Sequence, residues 1–275
     1  ASEKMGCRTI MFTVNLDNIG NMPCNPAIGG PAKGQMVGEI DALGGAMGVA
    51  ADETFIQMKV LNRSRGPAVQ CLRAQSDKRE YSAYMKRLVE NCKNLDLRQA
   101  LITDILVENK RVLGVKTELG KEYTAEAVVI TSGTFLNGKI HIGLNNFNAG
   151  RMGEQSAQGL SDSLLTHGFR LGRLKTGTTP RLDKRSIDFT KMEEQPGDNI
   201  PLQFSFRTNI GDKYKRQESC YLTYTNPRTH QVILENLNRS PLFQKEIEGT
   251  GPRYCPSIED KIYRFKDKTE HQLFM

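Results

Sequence analysis

The 275-residue sequence has no tryptophan, only four histidines and no Cys-x-x-Cys pair. Zinc sites need closely spaced cysteine and histidine ligands, so no metal site is expected. The longest strongly apolar stretch is residues 127–130, far short of the roughly 20 residues that cross a bilayer. The first residues are polar, so no secretory signal peptide is expected either. These absences favour a globular protein without a membrane anchor.

Cysteine usage and size narrow the class further. The six cysteines have no regular spacing, which in a chain of this length favours free thiols in the cytoplasm over a disulfide framework. The composition, 38% hydrophobic and 25% charged, is that of an ordinary globular protein. The length suits one large domain or two smaller ones.

Positive charge is in excess by seven and is concentrated in two stretches. Such clusters suit a polyanion such as a nucleic-acid backbone, although a solvated surface face would carry the same charges. The first cluster comprises Lys59, Arg63, Arg65, Arg73, Lys78 and Arg79, and the second comprises Arg173, Lys175, Arg181, Lys184 and Arg185.

Two cysteines lie in rigid segments bounded by proline and glycine. Cys24 lies in Pro-Cys-Asn-Pro-Ala-Ile-Gly-Gly, and Cys255 lies in Gly-Pro-Arg-Tyr-Cys-Pro-Ser-Ile-Glu-Asp-Lys. Each segment is predicted to precede a helix, whose unpaired amides and dipole favour a thiolate. Before the second helix, Ser257 and Asp260 form a variant of the capping box. The alternative is that both are buried structural cysteines, because free cysteine mostly packs as a small hydrophobe.

Apolar spacing predicts alternating helices and strands. Residues 1–6 are typical of a helix end and residues 9–12 of a strand, the order left by a βαβ unit without its first strand. Two later stretches have helical spacing and are expected to be core faces rather than ligand sites. They comprise Ala32, Met36, Val37, Ile40 and Leu43, and then Tyr81, Tyr84, Met85, Leu88, Val89 and Cys92.

The middle of the chain changes to strand patterns. Residues 104–108 and 112–117 predict two strands of a meander that continues to Tyr123. The apolar run 127–131 predicts a fully buried parallel strand. It ends in Ser132-Gly133-Thr134, a small-residue turn where backbone can approach a ligand closely. A meander leading into a buried strand is typical of flavin-binding doubly wound domains.

Residues 137–153 are glycine-rich and predict a loop that contains Arg151. Ordinary loop glycines and the rim of a cofactor or substrate site both account for this composition. The composition shifts again near residues 173–181. Beyond about residue 179, polar and proline-bearing sequence predicts a second α/β segment.

Several long motifs, in one order along the whole chain, resemble the MnmG/GidA family of FAD-dependent tRNA uridine 5-carboxymethylaminomethyl modification enzymes. The resemblance implies an α/β fold, namely a doubly wound, glutathione-reductase-like Rossmann domain that binds FAD and carries an inserted α/β domain. The implied domains are residues 1–178 and 179–275, both partial. The motifs cover residues 23–30, 41–45, 63–75, 133–143, 172–177 and 251–261.

The chain departs from this family at its ends. Family members open with a strand and a Gly-Gly-Gly-x-x-Gly turn that holds the FAD pyrophosphate at a helix N-terminus. That turn is absent from the sequence, as are the family's C-terminal return to the flavin domain and its helical tail. The resemblance therefore implies an internal fragment that is inactive alone.

Family members install an aminomethyl-type group at C5 of the tRNA wobble uridine. The resemblance implies FAD, reduced nicotinamide (NADH) and methylenetetrahydrofolate as one-carbon donor. It also implies a GTPase partner of the MnmE type, a homodimer within a heterotetramer, and a cytoplasmic location away from membranes. Uracil C5 is a poor nucleophile until a group adds at C6, and a thiolate suits that addition. Cys24 and Cys255 are therefore the implied nucleophile and its thiol or acid partner.

The resemblance also implies binding residues. Ile102 is expected near the FAD adenine, and the turn Ser132-Gly133-Thr134 near the flavin phosphate or ribose, with Ser156 as a further contact. Residues 251–265 resemble the nicotinamide-binding stretch, with contacts from Gly251, Arg253, Tyr254 and Lys261. The tRNA backbone contacts are expected from the two basic clusters: Arg63, Arg65, Arg73, Arg173, Lys175 and Arg181.

Three other functions remain open from the sequence. Folate-dependent tRNA uracil methyltransferases have a similar cofactor domain and would form 5-methyluridine. A flavin disulfide reductase would use the cysteines as a redox pair, although no Cys-x-x-Cys pair is present. A non-catalytic tRNA-binding module would be colourless, whereas a flavoenzyme is yellow.

Overall fold

The computed structural model describes residues 1–247, 249, 251 and 256–275. Three of the predicted site residues, Cys255, Arg253 and Tyr254, lie outside the described residues. Within them, no helix has the length and apolar character needed to cross a membrane.

Short strands and helices alternate along the described chain. The strands are β1 (Thr9–Thr13), β2 (Ala27–Gly29), β3 (Phe55–Leu61), β4 (Cys71–Ser76), β5 (Leu95–Gln99), β6 (Ile102–Glu108), β7 (Arg111–Thr117), β8 (Glu122–Thr124), β9 (Lys139–Ile142), β10 (Asn145–Asn148), β11 (Glu193–Gln195), β12 (Cys220–Tyr224) and β13 (Gln272–Phe274). The α-helices are α1 (Gly34–Ala42), α2 (Met47–Thr54), α3 (Lys78–Glu90), α4 (Leu160–Thr166), α5 (Pro227–Glu235) and α6 (Ile258–Arg264). Single 3-10 turns occupy Glu3–Met5, Leu16–Asn18, Pro67–Val69, Lys184–Ser186, Phe189–Lys191, Lys213–Lys215 and Leu237–Arg239.

A parallel pair and a meander form the framework that the sequence predicts. β1 pairs with β5 in parallel, with Thr9 opposite Leu95. β6, β7 and β8 form an antiparallel sheet, so the predicted meander is confirmed. Its first turn places Asn109 and Lys110 at φ +49° and +63°. Left-handed backbone at both central residues matches the right-handed twist of a hairpin.

The first hydrophobic core lies between the antiparallel sheet β2-β4-β3 and helices α1 to α3. Gly29 has φ +87°, and a Cβ there would overlap the Leu72 carbonyl oxygen and the Phe204 ring. Glycine is therefore required where β2 meets both neighbours. The buried members are Ile28, Val37, Ala50, Ala51, Met58, Ala74, Tyr81 and Phe204.

Two buried carboxylates fasten residues 204–208 to this core. Asp52 accepts hydrogen bonds from the Phe204 backbone N–H (2.7 Å) and the Thr208 hydroxyl (2.5 Å). Burial raises the pKa of the Asp52 carboxyl. Arg207 donates to Asp41 at 2.5 Å. The domain boundary at residues 178/179 stays a prediction, but this later segment packs into the core of the earlier one.

A second, smaller core joins the meander to α4. Ile105, Leu160 and Leu164 are buried together. The Ile105 N–H donates to the Ser163 hydroxyl at 3.0 Å, and the His167 ring nitrogen contacts the Ile105 carbonyl at 3.1 Å. These side chains satisfy backbone groups on the β6 edge that faces away from β7.

The predicted buried strand at residues 127–131 is wrong for this structure. The segment has no strand assignment, and the Val129 and Ile130 side chains are 79% and 40% exposed. A parallel strand is buried when strands pair with its edges and helices cover its faces. No strand among the described residues pairs with this segment.

The two predicted helical stripes have different outcomes. In α3, Tyr81 is buried and Tyr84 and Met85 pack against the first core, so this half of the stripe is confirmed. In α1 only Val37 of the predicted stripe is buried, whereas Met36, Ile40 and Leu43 are exposed. α1 rests on the sheet through its Val37 side, which leaves the opposite side uncovered by the described elements.

Candidate functional site

Cys24 lies in a loop that leads into a strand rather than a helix. Ala27–Gly29 pairs with β4, with Ile28 opposite Ala74, and α1 begins only at Gly34. The predicted helix N-terminus at Cys24 is therefore wrong, because pairing with β4 keeps the chain extended. None of the helices among the described residues begins at Cys24.

Residues 177–181 hold the Cys24 loop instead. The Cys24 thiol donates to the Gly177 carbonyl at 3.4 Å. The Arg181 guanidinium donates to the carbonyls of Pro23 (3.1 Å) and Cys24. On the other side, Gln75 of β4 donates to the Asn25 side chain at 3.0 Å. The half-buried thiol is thus fixed by contacts far apart in sequence.

Lys175, two residues before this segment, contacts described residues on both sides of Cys255. Lys175 pairs with Asp260, with 3.5 Å between Nζ and Oδ2. A Cβ on Gly251 would lie 3.1 Å from the Lys175 side chain. Ser257 accepts the Asp260 N–H and begins α6, as the capping pattern predicts. Residues 175–181 therefore contact the Cys24 loop at one end and the flanks of Cys255 at the other.

The predicted FAD residues, namely Ile102, the turn at residues 132–134 and Ser156, lie along one connected stretch. The turn at residues 132–134 continues into Phe135, whose carbonyl accepts the Ala157 N–H at 2.8 Å. Ser156 is buried beside it. Ile102 packs against the second core, where Gly159 lies against Thr103 of the same strand. Residues 156–159 thus join the predicted phosphate turn to the predicted adenine contact.

Arg151 joins this stretch to the Cys24 loop. Its guanidinium pairs with Glu154 at 2.8 Å, lies 4.9 Å from the centroid of the Phe135 ring and contacts the Asn21 carbonyl at 3.4 Å. Asn21 lies three residues before Cys24 in the sequence. The glycine-rich loop therefore contacts the segment that precedes Cys24, and its role as the rim of a site stays a prediction.

The predicted cationic residues occupy different environments. Arg63 pairs with Asp198, and Arg173 donates to the Asn137 carbonyl at 2.8 Å. Arg65 is exposed, and Arg73 lies between Gly29 and Lys59 in the sheet register. Lys175 is mostly buried in its pair with Asp260.

Lys261, a predicted nicotinamide contact, lies in α6 near His271. Burial is the main cause that lowers the pKa of His271, and charges on His230, Lys261 and Lys268 add to it. Among the described residues, no group of three or more histidine, cysteine, aspartate or glutamate side chains is arranged to hold a metal ion.

Sequence reasoning missed three features of the site. The Gly177 contact and the hold of Arg181 on the Cys24 loop depend on residues more than 150 positions apart. The sequence pattern places Asn137 in a loop, and the structure gives it a left-handed backbone at φ +44°. The run Leu-Asn-Gly after the small-residue turn is a local signal for such a conformation, since asparagine and glycine favour it.

Comparison with known proteins identifies the family of the chain. The family model described as Glucose inhibited division protein A matches residues 1–275. Two curated relatives named tRNA uridine 5-carboxymethylaminomethyl modification enzyme MnmG, from Thermodesulfovibrio yellowstonii and Aquifex aeolicus, are 54% and 53% identical over the whole chain. The chain covers only 44% and 45% of those relatives.

Solved structures show the same fold. Aquifex aeolicus GidA in its form I crystal superposes with a TM-score of 0.92 at 53% identity, covering all of this chain and 47% of that one. The form II crystal gives 0.89 at 51% identity, covering 99% of this chain and 44% of that one. The mixed α/β fold expected from the sequence is confirmed, and its parallel β1–β5 pair is consistent with a Rossmann-like domain. The chain belongs to the GidA family.

Proposed function

We propose that this chain forms part of an enzyme that modifies C5 of the tRNA wobble uridine by installing a carboxymethylaminomethyl or aminomethyl group. The observation that carries the proposal is the contact of residues 175–181 with both cysteine segments. Relatives named for this modification are more than 50% identical along the whole chain. Both cysteine motifs lie within that matched length.

In this proposal, Cys24 and Cys255 supply the nucleophile that adds to uracil C6 and its thiol or acid partner. Addition at C6 raises the electron density at C5, which otherwise reacts poorly. The Gly177 carbonyl accepts a hydrogen bond from the Cys24 thiol. Substrate binding must displace that contact before Cys24 can act as a nucleophile.

FAD is the cofactor of the proposal, and the described residues fit it. Residues 132–134 would hold its phosphate or ribose, Ile102 would contact its adenine, and Ser156 lies buried between them. Asn137 and Arg151, beside this turn, each bury a polar atom without a partner. When bound, flavin supplies hydride transfer that amino-acid side chains cannot perform.

The remaining reactants and partners are proposed from the resemblance to the family. NADH is proposed at residues 251–265, and methylenetetrahydrofolate as the one-carbon donor. A GTPase of the MnmE type and a second copy of the protein complete the assembly, in the cytoplasm. Their support is the sequence match to the MnmG relatives.

Backbone contacts to tRNA are proposed from cations around the Cys24 loop. Arg181 donates to the Cys24 carbonyl in the loop itself. Arg73 of β4 lies opposite Gly29 of β2, the strand that follows the loop. Arg65 and Arg73 form no ion pair among the described residues. Phosphate contacts of this kind position a substrate without reading its sequence.

The deciding experiment compares cysteine variants of the intact protein. Cys24→Ser and Cys255→Ser should each lower formation of the modified nucleoside by about a hundredfold or more, because a hydroxyl is a far weaker nucleophile and acid than a thiol. The product is measured by mass spectrometry of digested tRNA. Cys7→Ser is the matched control, since Cys7 is an exposed free cysteine outside the site. Full modification by both variants would refute the cysteine roles, and 5-methyluridine as product would refute the reaction.

A further inference from the structure

Phe206 is a large apolar side chain that the structure leaves 96% exposed to solvent. It lies in a tight turn together with Arg207, directly after the buried residue Ser205. Single exposed apolar side chains are common on protein surfaces, so exposure alone does not make Phe206 a binding residue. Its turn, however, is rigid, and the next residue in the sequence is a cation.

Buried groups fix the backbone on both sides of Phe206. The Asp52 carboxylate, which has no exposed surface, accepts the Ser205 backbone N–H at 2.9 Å. It also accepts the Thr208 hydroxyl at 2.5 Å. Within the turn, the Arg207 N–H donates to the Ser205 hydroxyl at 3.1 Å. The Phe206 ring is therefore presented to solvent from a backbone that is already ordered, so little conformational entropy is lost when a ligand contacts it.

Arg207 places hydrogen-bond donors at the same surface. One of its terminal nitrogens donates to the Asp41 carboxylate at 2.5 Å and also to the Gly45 carbonyl. The Arg207 side chain is 41% exposed, whereas that of Asp41 is buried. The Nε and the other terminal nitrogen of Arg207 form no hydrogen bond with the described residues. The buried carboxylate thus holds the guanidinium in place and leaves donors for an anion.

An exposed aromatic ring followed by a half-exposed guanidinium complements an unpaired nucleotide. The base stacks on the ring, and a phosphate accepts from the guanidinium. We propose that Phe206 stacks on an unpaired base of the tRNA anticodon loop and that Arg207 donates to a phosphate of the same loop. This inference rests on the proposed function, which supplies an RNA substrate whose anticodon loop is single-stranded.

The residues around the ring favour a base over a protein as its partner. The other exposed side chains of this segment are polar, namely those of Gln203, Arg207 and Asn209. A protein interface is apolar at its centre, whereas a nucleotide needs one ring together with nearby hydrogen-bond donors.

The turn is also close enough to Cys24 for both to contact one loop of RNA. The Phe204 ring lies against Gly29, the last residue of β2, and Cys24 lies five residues before Gly29. Even a fully extended chain keeps Phe206 within roughly 25 Å of Cys24. The ring and the thiol can therefore contact different nucleotides of the same anticodon loop.

Equilibrium binding of tRNA to the intact protein tests the stack. Phe206→Ala and Phe206→Leu should each raise the dissociation constant about tenfold, because both remove the ring. Phe206→Tyr keeps the ring and should bind tRNA like the unmodified protein. Leu119→Ala is the matched control, since Leu119 is 91% exposed between β7 and β8 and should leave binding unchanged.

Anticodon stem-loops with a single abasic nucleotide locate the stacked base. In the unmodified protein, removal of that one base should raise the dissociation constant about tenfold. In Phe206→Ala the same abasic substitution should have less than about a twofold effect, because the two changes remove one shared interaction.

Four results would overturn the inference. Phe206→Ala could bind tRNA normally, which would exclude the ring from the RNA interface. Phe206→Leu could bind normally while Phe206→Ala does not, which would indicate an apolar contact rather than a stack. Phe206→Ala could lower the free energy of unfolding in urea, which would show that the ring packs against the rest of the intact protein. It could also lower the mass measured by light scattering, which would show that the ring contacts a second copy.

In each of these cases the unmodified protein still forms its modified nucleoside. Failure of this inference is therefore distinct from failure of the proposed function, which the nucleoside product tests.

Discussion

Lys175 and Asp260 form an ion pair in which each side chain is only 13% exposed, with 3.5 Å between Nζ and Oδ2. The pair joins the segment that holds Cys24 to the helix that follows Cys255. Asp260 also lies in the first turn of α6, where a carboxylate is favoured by the helix dipole. The two cysteine segments are therefore coupled through this contact.

Breaking this pair should destabilise the fold. Lys175→Met leaves the mostly buried Asp260 carboxylate with only the exposed Arg264 guanidinium, 3.6 Å away, as a cationic neighbour, and the free energy of unfolding should fall by about 2 kcal/mol. Urea unfolding of the intact protein measures the loss. Lys191→Met is the control, because its pair with Asp188 is solvent-exposed and worth less than about 1 kcal/mol. Equal losses from both variants would contradict a structural role for the buried pair.

Charge reversal at Arg73 should weaken tRNA binding without harming the fold. Arg73→Glu places a carboxylate opposite Lys59 of β3, and opposite charges on paired strands are favourable. The tRNA dissociation constant should rise. The slope of log Kd plotted against the logarithm of the salt concentration should decrease by about one, because one phosphate contact is lost.

Binding across a salt series gives both quantities. Arg111→Glu, at the exposed first position of β7, is the matched control and should leave the slope unchanged. An unchanged slope for Arg73→Glu as well would exclude this residue from the RNA interface.

His271 should make the fold less stable in mild acid. Burial, with smaller effects from His230, Lys261 and Lys268, lowers the pKa of His271 below its ordinary value of 6.5. The folded state therefore keeps the ring neutral, while the unfolded chain takes up a proton near 6.5. The stability that His271 contributes is present above 6.5 and is lost as pH falls through the lower, folded-state pKa.

Urea unfolding at about pH 7.5 and about pH 5.5 tests this effect. His271→Gln should reduce the loss of unfolding free energy between the two pH values. His141→Gln, in β9 outside this cluster, should retain the full loss. If His271→Gln loses as much stability on acidification as the unmodified protein, another group causes the acid sensitivity.

Local patterns in the sequence predicted several elements correctly. The meander follows from alternating residues around Asn109 and Lys110, which accept left-handed backbone. The start of α6 follows from Ser257, whose side chain caps the Asp260 N–H. These features are encoded within a few consecutive residues, so propensity and capping are sufficient to predict them.

Two errors had the same physical origin. Residues 127–131 have the composition of a buried strand, but burial depends on partner strands, and none pairs with them among the described residues. The Cys24 segment was expected to start a helix, but pairing of Ile28 with Ala74 extends the chain. In both places the deciding contacts lie far away in sequence or require another strand.

The sequence by itself determined the family, the order of most elements and the two unusual cysteine settings, because each is written in contiguous motifs. Only the tertiary structure decided which distant residues contact the two cysteine motifs. It set the Gly177 and Arg181 contacts to Cys24 and the ion pair between Lys175 and Asp260. Such contacts depend on how distant segments pack, and short-range propensity carries no information about that packing.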